Sequence, residues 1–133
     1  MCDIYGGNGL DVLEGRAKVL TSTGIDWTAG MIFSVRKMLR IAEENKIELA
    51  VMMDVSAACG NHVVYDGNRY AANKKYQIGM GVQLHRAGFK IISWREFKSL
   101  DLLYSKIDSS HIPNPEAKDF DQHEWYLSYF NKK

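Results

Sequence analysis

At 133 residues the chain has the length of one domain, long enough to bury a core without disulfide or metal staples. Its 46% hydrophobic and 25% charged residues are ordinary globular composition, and a formal net charge of +1 offers no ground for generic nucleic-acid binding. Cys2 and Cys59 are too few for a disulfide scaffold, and no apolar run approaches the roughly 20 residues that cross a bilayer.

Met1–Gly7 has neither the basic nor the apolar region of a secretory leader, so a cytoplasmic location without membrane contact is expected. Gly6, Gly7, Gly9 and Gly15 mark a shaped loop or turn series. Residues 16–20 are a short strand candidate, followed by a turn at 21–24. Asp26 or Thr28 can cap the next helix. Met31, Ile32, Val35, Met38, Leu39, Ile41 and Ala42 fall close to the i, i+3, i+4, i+7 spacing of an amphipathic helix, with Asn45 at its end.

Residues 47–54 are almost continuously apolar, the pattern of a strand covered on both faces. Small residues follow directly: Ser56, Ala57, Ala58, Cys59, Gly60 and Asn61. His62–Tyr65 reads as a β segment and Asp66-Gly67 as a turn. A helix is expected over 76–87 with Gly88 after it, a second buried strand over 89–94, and a helix over 95–105. Pro113 and Pro115 then break the chain. Residues 120–130 hold Trp125, Tyr126, Leu127, Tyr129 and Phe130. A segment so aromatic is expected to pack on the domain or on a neighbouring subunit. The organisation expected is an α/β domain over 1–110 and an aromatic extension over 111–133.

The strand–helix alternation predicts an α/β fold with a mostly parallel sheet. In such sheets ligands sit beyond the carboxyl ends of the strands. That rule points to the loop from Ser56 to Gly67, with Asp54 as a general base or a loop brace. Cys59 there can be a nucleophile, a metal ligand or an inert packed thiol. His62 can donate to a ligand or lie on the surface of a β segment. Gly6-Gly7-Asn8-Gly9 falls short of a dinucleotide fingerprint, because Val12 stands at the third glycine and only five residues precede Gly6. A conformational role is the simpler reading. His62, His85, His111 and His123 show no zinc-ligand spacing.

Three segments combine into something more specific: residues 6–15 (GGNGLDVLEG), residues 39–45 (LRIAEEN), and Ser56-Ala57-Ala58-Cys59-Gly60 followed by Val64-Tyr65-Asp66-Gly67. In this order and spacing they resemble the C-terminal two-thirds of the 2-thiouracil desulfurase-like family, a domain of unknown function numbered 523, over about Asp3 to Phe97. The resemblance implies a small Rossmann-like three-layer sandwich, truncated at its N-terminus. It also implies a [4Fe–4S] cluster held by three cysteines, whose open iron takes sulfur from a thiolated nucleobase. Cys59 matches the last of the three, and the N-terminal pair has no match here. The family carries Pro and Ser where this chain has Ala57 and Ala58, and residues 76–80 (YQIGM) stand where the family has a Gly-Asp-Gly-Val-Thr type of helix start.

The preferred expectation is a catalytically degenerate domain without a cofactor. It binds a nucleobase- or nucleotide-like small molecule, and sequesters or senses a nucleotide signal. Ligand contacts are assigned to Gly6, Gly7, Asn8, Asp54, Ser56, Ala57, Ala58, Cys59, Gly60, Asn61, His62 and Tyr65. One alternative is an iron–sulfur desulfurase whose cluster is shared between subunits, with Cys59 and Cys2 as ligands. The other is a protein-interaction module. A missing front would uncover a sheet edge, so a homo-oligomer is expected.

Overall fold

A computed structural model describes residues 2–60, 79–125 and 128. The elements in order are β1 (Cys2–Tyr5), α1 (Gly9–Leu13), β2 (Lys18–Thr21), α2 (Thr28–Glu44), β3 (Leu49–Met52), α3 (Val82–Arg86), β4 (Lys90–Ser93) and α4 (Phe97–Ile107). A 3-10 turn at Phe120–Gln122 follows.

Among the described residues the strands form two small sheets in a mixed α/β arrangement. β1 and β2 are antiparallel, with Cys2 opposite Thr21 and Tyr5 opposite Lys18. β3 and β4 are parallel, with Leu49 opposite Lys90 and Met52 opposite Ser93. Among the described residues one of the two strand pairs is thus parallel and the other antiparallel, and the connections explain why. Between β1 and β2 there is only the five-residue α1, and the N–H groups of Arg16 and Ala17 both return to the Asp11 carbonyl, at 2.7 and 3.1 Å. That fold-back reverses the chain. Parallel strands need a long crossover, which residues 53–89 supply between β3 and β4.

β1 itself was not foreseen. Its side chains alternate too briefly to announce a strand, but Ile4 is fully buried and Asp3 is 7% exposed because β2 pairs alongside.

α2 confirms the apolar spacing read from residues 31–42. Val35 and Ala42 are buried, and Met31, Ile32, Met38 and Leu39 pack beside them. Asp26 accepts the Thr28 N–H at 2.9 Å, and the Thr28 hydroxyl accepts the Val19 N–H at 2.9 Å, which ties the helix start to β2. Asn45 closes the far end as expected.

One core cluster joins Ile4, Val12, Val19, Val35, Ala57 and Met80. A second joins Ala42, Met52 and Leu84, with Phe89 and Ile91 against it.

Three further expectations shift. The strand read over 47–54 is β3 alone, and it is not covered on both faces: Val51 is 53% and Met53 59% exposed. α2 and α3 cover the Ala50 and Met52 side, while no residue of α4 is buried. Of the helix read over 76–87, residues 76–78 lie outside the described residues and α3 starts at Val82. It ends as expected, with Gly88 at φ +89°. The last helix begins two residues late, because Ser93–Glu96 form a turn closed by the Glu96 N–H on the Ser93 carbonyl at 3.0 Å.

The aromatic segment divides. Phe120 is buried, Trp125 is 58% exposed, and Tyr126, Leu127, Tyr129 and Phe130 lie outside the described residues. The stretch leading to Phe120 is held to α4: Asp119 accepts the Ser99 N–H and hydroxyl at 2.9 and 2.8 Å. Asp101 accepts the Asn114 N–H at 2.6 Å and contacts the His111 ring at 2.5 Å.

Candidate functional site

β3 and β4 run the same way, so their carboxyl ends open side by side. A cleft of about 440 Å³ lies there, within the range of small-molecule sites. One wall is the run Met53–Ala57 leaving β3, and the opposite wall is Trp94 and Arg95 leaving β4. Met31 of α2 and Cys2 of β1 complete it.

The central polar group is Asp54, only 3% exposed. A carboxylate so far from water must be hydrogen-bonded. The buried Ser93 hydroxyl donates to Asp54 Oδ2, a direct tie between the ends of the two strands. Ser93 is held in turn: its N–H donates to the Glu96 carboxylate, and its Oγ accepts the Arg95 N–H at 3.2 Å. The Trp94 N–H donates to the Met52 carbonyl at 2.9 Å, continuing the β3–β4 ladder past its last strand residue. The Arg95 guanidinium sits 5.3 Å from the Trp94 ring centroid, a cation–π distance. The cleft thus has a buried acceptor, an aromatic ring and a cation at one mouth.

The loop beyond Asp54 is tightly bonded. Ser56 Oγ accepts the Cys59 N–H at 3.3 Å, the Ser56 carbonyl accepts the Gly60 N–H at 2.7 Å, and the Ala57 carbonyl accepts the Met80 N–H at 3.0 Å. A Cβ at Gly81 would stand 2.5 Å from the Cys59 carbonyl oxygen, so glycine is required for the backbones to approach. Val55 has φ +67°, a left-handed conformation that a β-branched residue rarely adopts.

The expected site residues divide among several places. Asp54, Ser56 and Ala57 line the cleft. Ala58 packs against the first core cluster, and Gly60 is buried. Cys59 lines a second, apolar groove of about 410 Å³ between α2 and β3. Gly6, Gly7 and Asn8 do not reach the cleft lining. Asn8 instead caps α1, accepting the Leu10 and Asp11 N–H groups at 2.9 and 3.1 Å, and Asp11 accepts the Asn8 N–H at 2.9 Å. A strand does precede these glycines and a helix does follow, but five residues make no phosphate-binding helix. Asn61, His62 and Tyr65 lie outside the described residues.

Sequence reasoning missed Ser93, Trp94 and Arg95. The rule that placed the site at the end of β3 applied equally to the end of β4 and could have found them.

A [4Fe–4S] cluster needs about four thiolate-type ligands, or three with one open iron. The chain has two cysteines, and they line different cavities. Among the described residues no group of three or more His, Cys, Asp or Glu could hold a metal ion. These residues do not fit the cluster. No helix among them is long and apolar enough to cross a membrane.

Comparison with known proteins gives two likenesses. The chain is 34% identical over 101 residues to the uncharacterised protein YbbK of Bacillus subtilis (strain 168), a match over 74% of this chain and 65% of YbbK. It is similar to the solved structure of a [4Fe–4S]-dependent thiouracil desulfidase, TudS, with 26% identity and a TM-score of 0.58 over 67% of this chain and 59% of that one. The chain therefore spans less than two-thirds of the length of either protein. No family model matches it. The fold is desulfurase-like.

Proposed function

We propose that this chain is a desulfurase-like domain whose cleft at the ends of β3 and β4 binds a small planar, nucleobase-like molecule without removing sulfur from it. The observation that carries this is Asp54, a nearly buried carboxylate that lines the cleft at the carboxyl end of a parallel strand pair. A carboxylate accepts hydrogen bonds, so it selects a ligand edge bearing N–H groups. Trp94 offers a ring face for stacking, and the Met31 and Met53 thioethers adapt to a flat partner. Likeness to a thiouracil desulfidase supports a nucleobase as the ligand class. The two-cysteine content supports binding without turnover, since the three-cysteine set is absent from the chain. The Rossmann-like layering implied by the resemblance belongs to this reading too. It would place the cleft where such folds keep their ligands.

Calorimetric titration with uracil and 2-thiouracil tests the proposal. Both are expected to bind, and Asp54→Asn is expected to weaken both at least tenfold while leaving the thermal midpoint within a few degrees. Absence of binding to the wild-type chain overturns the reading. Release of sulfide from 2-thiouracil by anaerobically purified, iron-containing protein overturns the non-catalytic half of it.

A further inference from the structure

The apolar groove between α2 and β3 is lined by sulfur side chains: Met38, Met52, Met53 and Cys59. Three of these meet in the second core cluster. Met52 is 6% exposed there, and Met38 and Cys59 pack against the cluster it forms with Ala42 and Leu84. They come from α2, from β3 and from the loop after β3, so no spacing in the chain announces them. Cys59 carries a free thiol. Its backbone is held by the N–H bond to Ser56 Oγ at 3.3 Å and by the close passage of Gly81 past its carbonyl. A methionine has three rotatable side-chain bonds, so its sulfur can move to a shared centre without moving the backbone. Val51 at 53% and Ile41 at 47% exposure border the groove on the side open to solvent.

The other described residues lining the groove are all aliphatic. An ion that enters such surroundings has to be left without net charge, because an uncompensated charge away from water is costly. One thiolate cancels one positive charge. Zinc would keep a charge here, and its sites take four nitrogen, sulfur or carboxylate ligands. Calcium and magnesium require oxygen ligands. An iron–sulfur cluster requires at least three thiolate-type ligands. A soft monovalent ion is neutralised by a single thiolate, and thiolate and thioether sulfur are the ligands that select Cu(I). We infer that Cys59 Sγ and the Sδ atoms of Met38 and Met52 bind one Cu(I) ion in this groove. Binding replaces the Cys59 S–H bond with an S–Cu bond and releases the proton to solvent. Neither copper nor sulfur changes oxidation state. The site uses no residue of the cleft between β3 and β4, so it goes beyond the small-molecule reading and does not rest on it.

The test is an anaerobic titration of the reduced 133-residue chain with Cu(I) against a chromogenic Cu(I) chelator, followed by X-ray absorption on the loaded protein. One Cu(I) per chain is expected, with a first shell of sulfur alone, and an excess of Zn(II) is not expected to displace it. Cys59→Ser is expected to weaken binding at least tenfold. Met38→Leu and Met52→Leu conserve side-chain volume and so preserve the packing. Each is expected to weaken Cu(I) binding at least tenfold with a thermal midpoint within a few degrees of the wild type. These two variants decide the question even where Cys59→Ser fails to fold. Failure of the wild-type chain to take Cu(I) from the chelator overturns the inference, as does a first shell containing nitrogen or oxygen. Undiminished binding by both leucine variants overturns it too. Loss of the ion in Cys2→Ser would assign it to the cleft and overturn it equally. Uracil titration of the cleft is a separate readout, so failure here leaves the binding proposal standing.

Discussion

Val55 stands between the two cleft residues Asp54 and Ser56 with φ +67°. Left-handed backbone at a non-glycine residue costs about 1–3 kcal/mol and persists only where the surroundings enforce it. Here the enforcement is visible: Asp54 is tied to Ser93, and Ser56 is bonded to Cys59 and Gly60. Asn tolerates this conformation far better than a β-branched residue. Val55→Asn is therefore expected to stabilise the fold by about 1 kcal/mol, seen as a rise of a few degrees in the thermal midpoint. A fall in the midpoint would mean that the Val55 side chain contributes more by packing than its backbone costs. Ser93 makes the opposite case. Ser93→Ala leaves the buried Asp54 carboxylate without its hydroxyl donor, and is expected to cost about 1–3 kcal/mol in chemical denaturation.

At the scale of elements, α1 is a spacer whose value lies in how closely it lets the backbone pass. A Cβ on Gly9 would sit 2.0 Å from the Gly79 carbonyl carbon and 2.1 Å from its oxygen. Backbone cannot yield as a flexible side-chain end can. Gly9→Ala is expected to separate α1 from the turn before α3 at a cost of about 3 kcal/mol. An equilibrium denaturation curve checks this, and an unchanged midpoint would refute the contact. α4 shows another mode of attachment. It buries no residue fully, and polar links hold the segment after it to its side: Ser99 to Asp119, and His111 and Asn114 to Asp101. Among the elements, α2 was the most legible beforehand because its apolar face repeats over several turns, and a repeat is a property of the local chain. β1 was illegible because four residues carry no repeat, and its strand character comes from pairing with β2.

For the molecule as a whole, the same polar links set a pH response. The His111 ring, and next the Asn114 N–H, hold the Asp101 carboxyl below its ordinary pKa of 3.8. A depressed carboxylate contributes stability that is fully present above its ordinary value and is lost as pH falls through the folded-state value. Asp101→Asn is therefore expected to be less stable than the wild type at pH 7, with the difference narrowing below about pH 4. Urea denaturation at pH 7 and pH 3 measures it, and a gap that is constant with pH would exclude the Asp101 charge as its source.

What the residues by themselves determined is what short-range chemistry encodes. The helix over Met31–Ala42, its end at Asn45, the turn at Gly88 and the small-residue loop after the apolar strand all followed from spacing or from glycine's freedom. The rule for strand ends located Asp54 and Ser56. Only the tertiary structure decided the direction of β1 against β2, the exposure of Val51 on β3, and the meeting of Asp54 with Ser93 across 39 positions of chain. It also set Cys59 in the apolar groove between α2 and β3 and Cys2 in the cleft. The reason is physical. A hydrophobic period reports which face of an element seeks burial, and it says nothing about which distant segment will arrive to provide it.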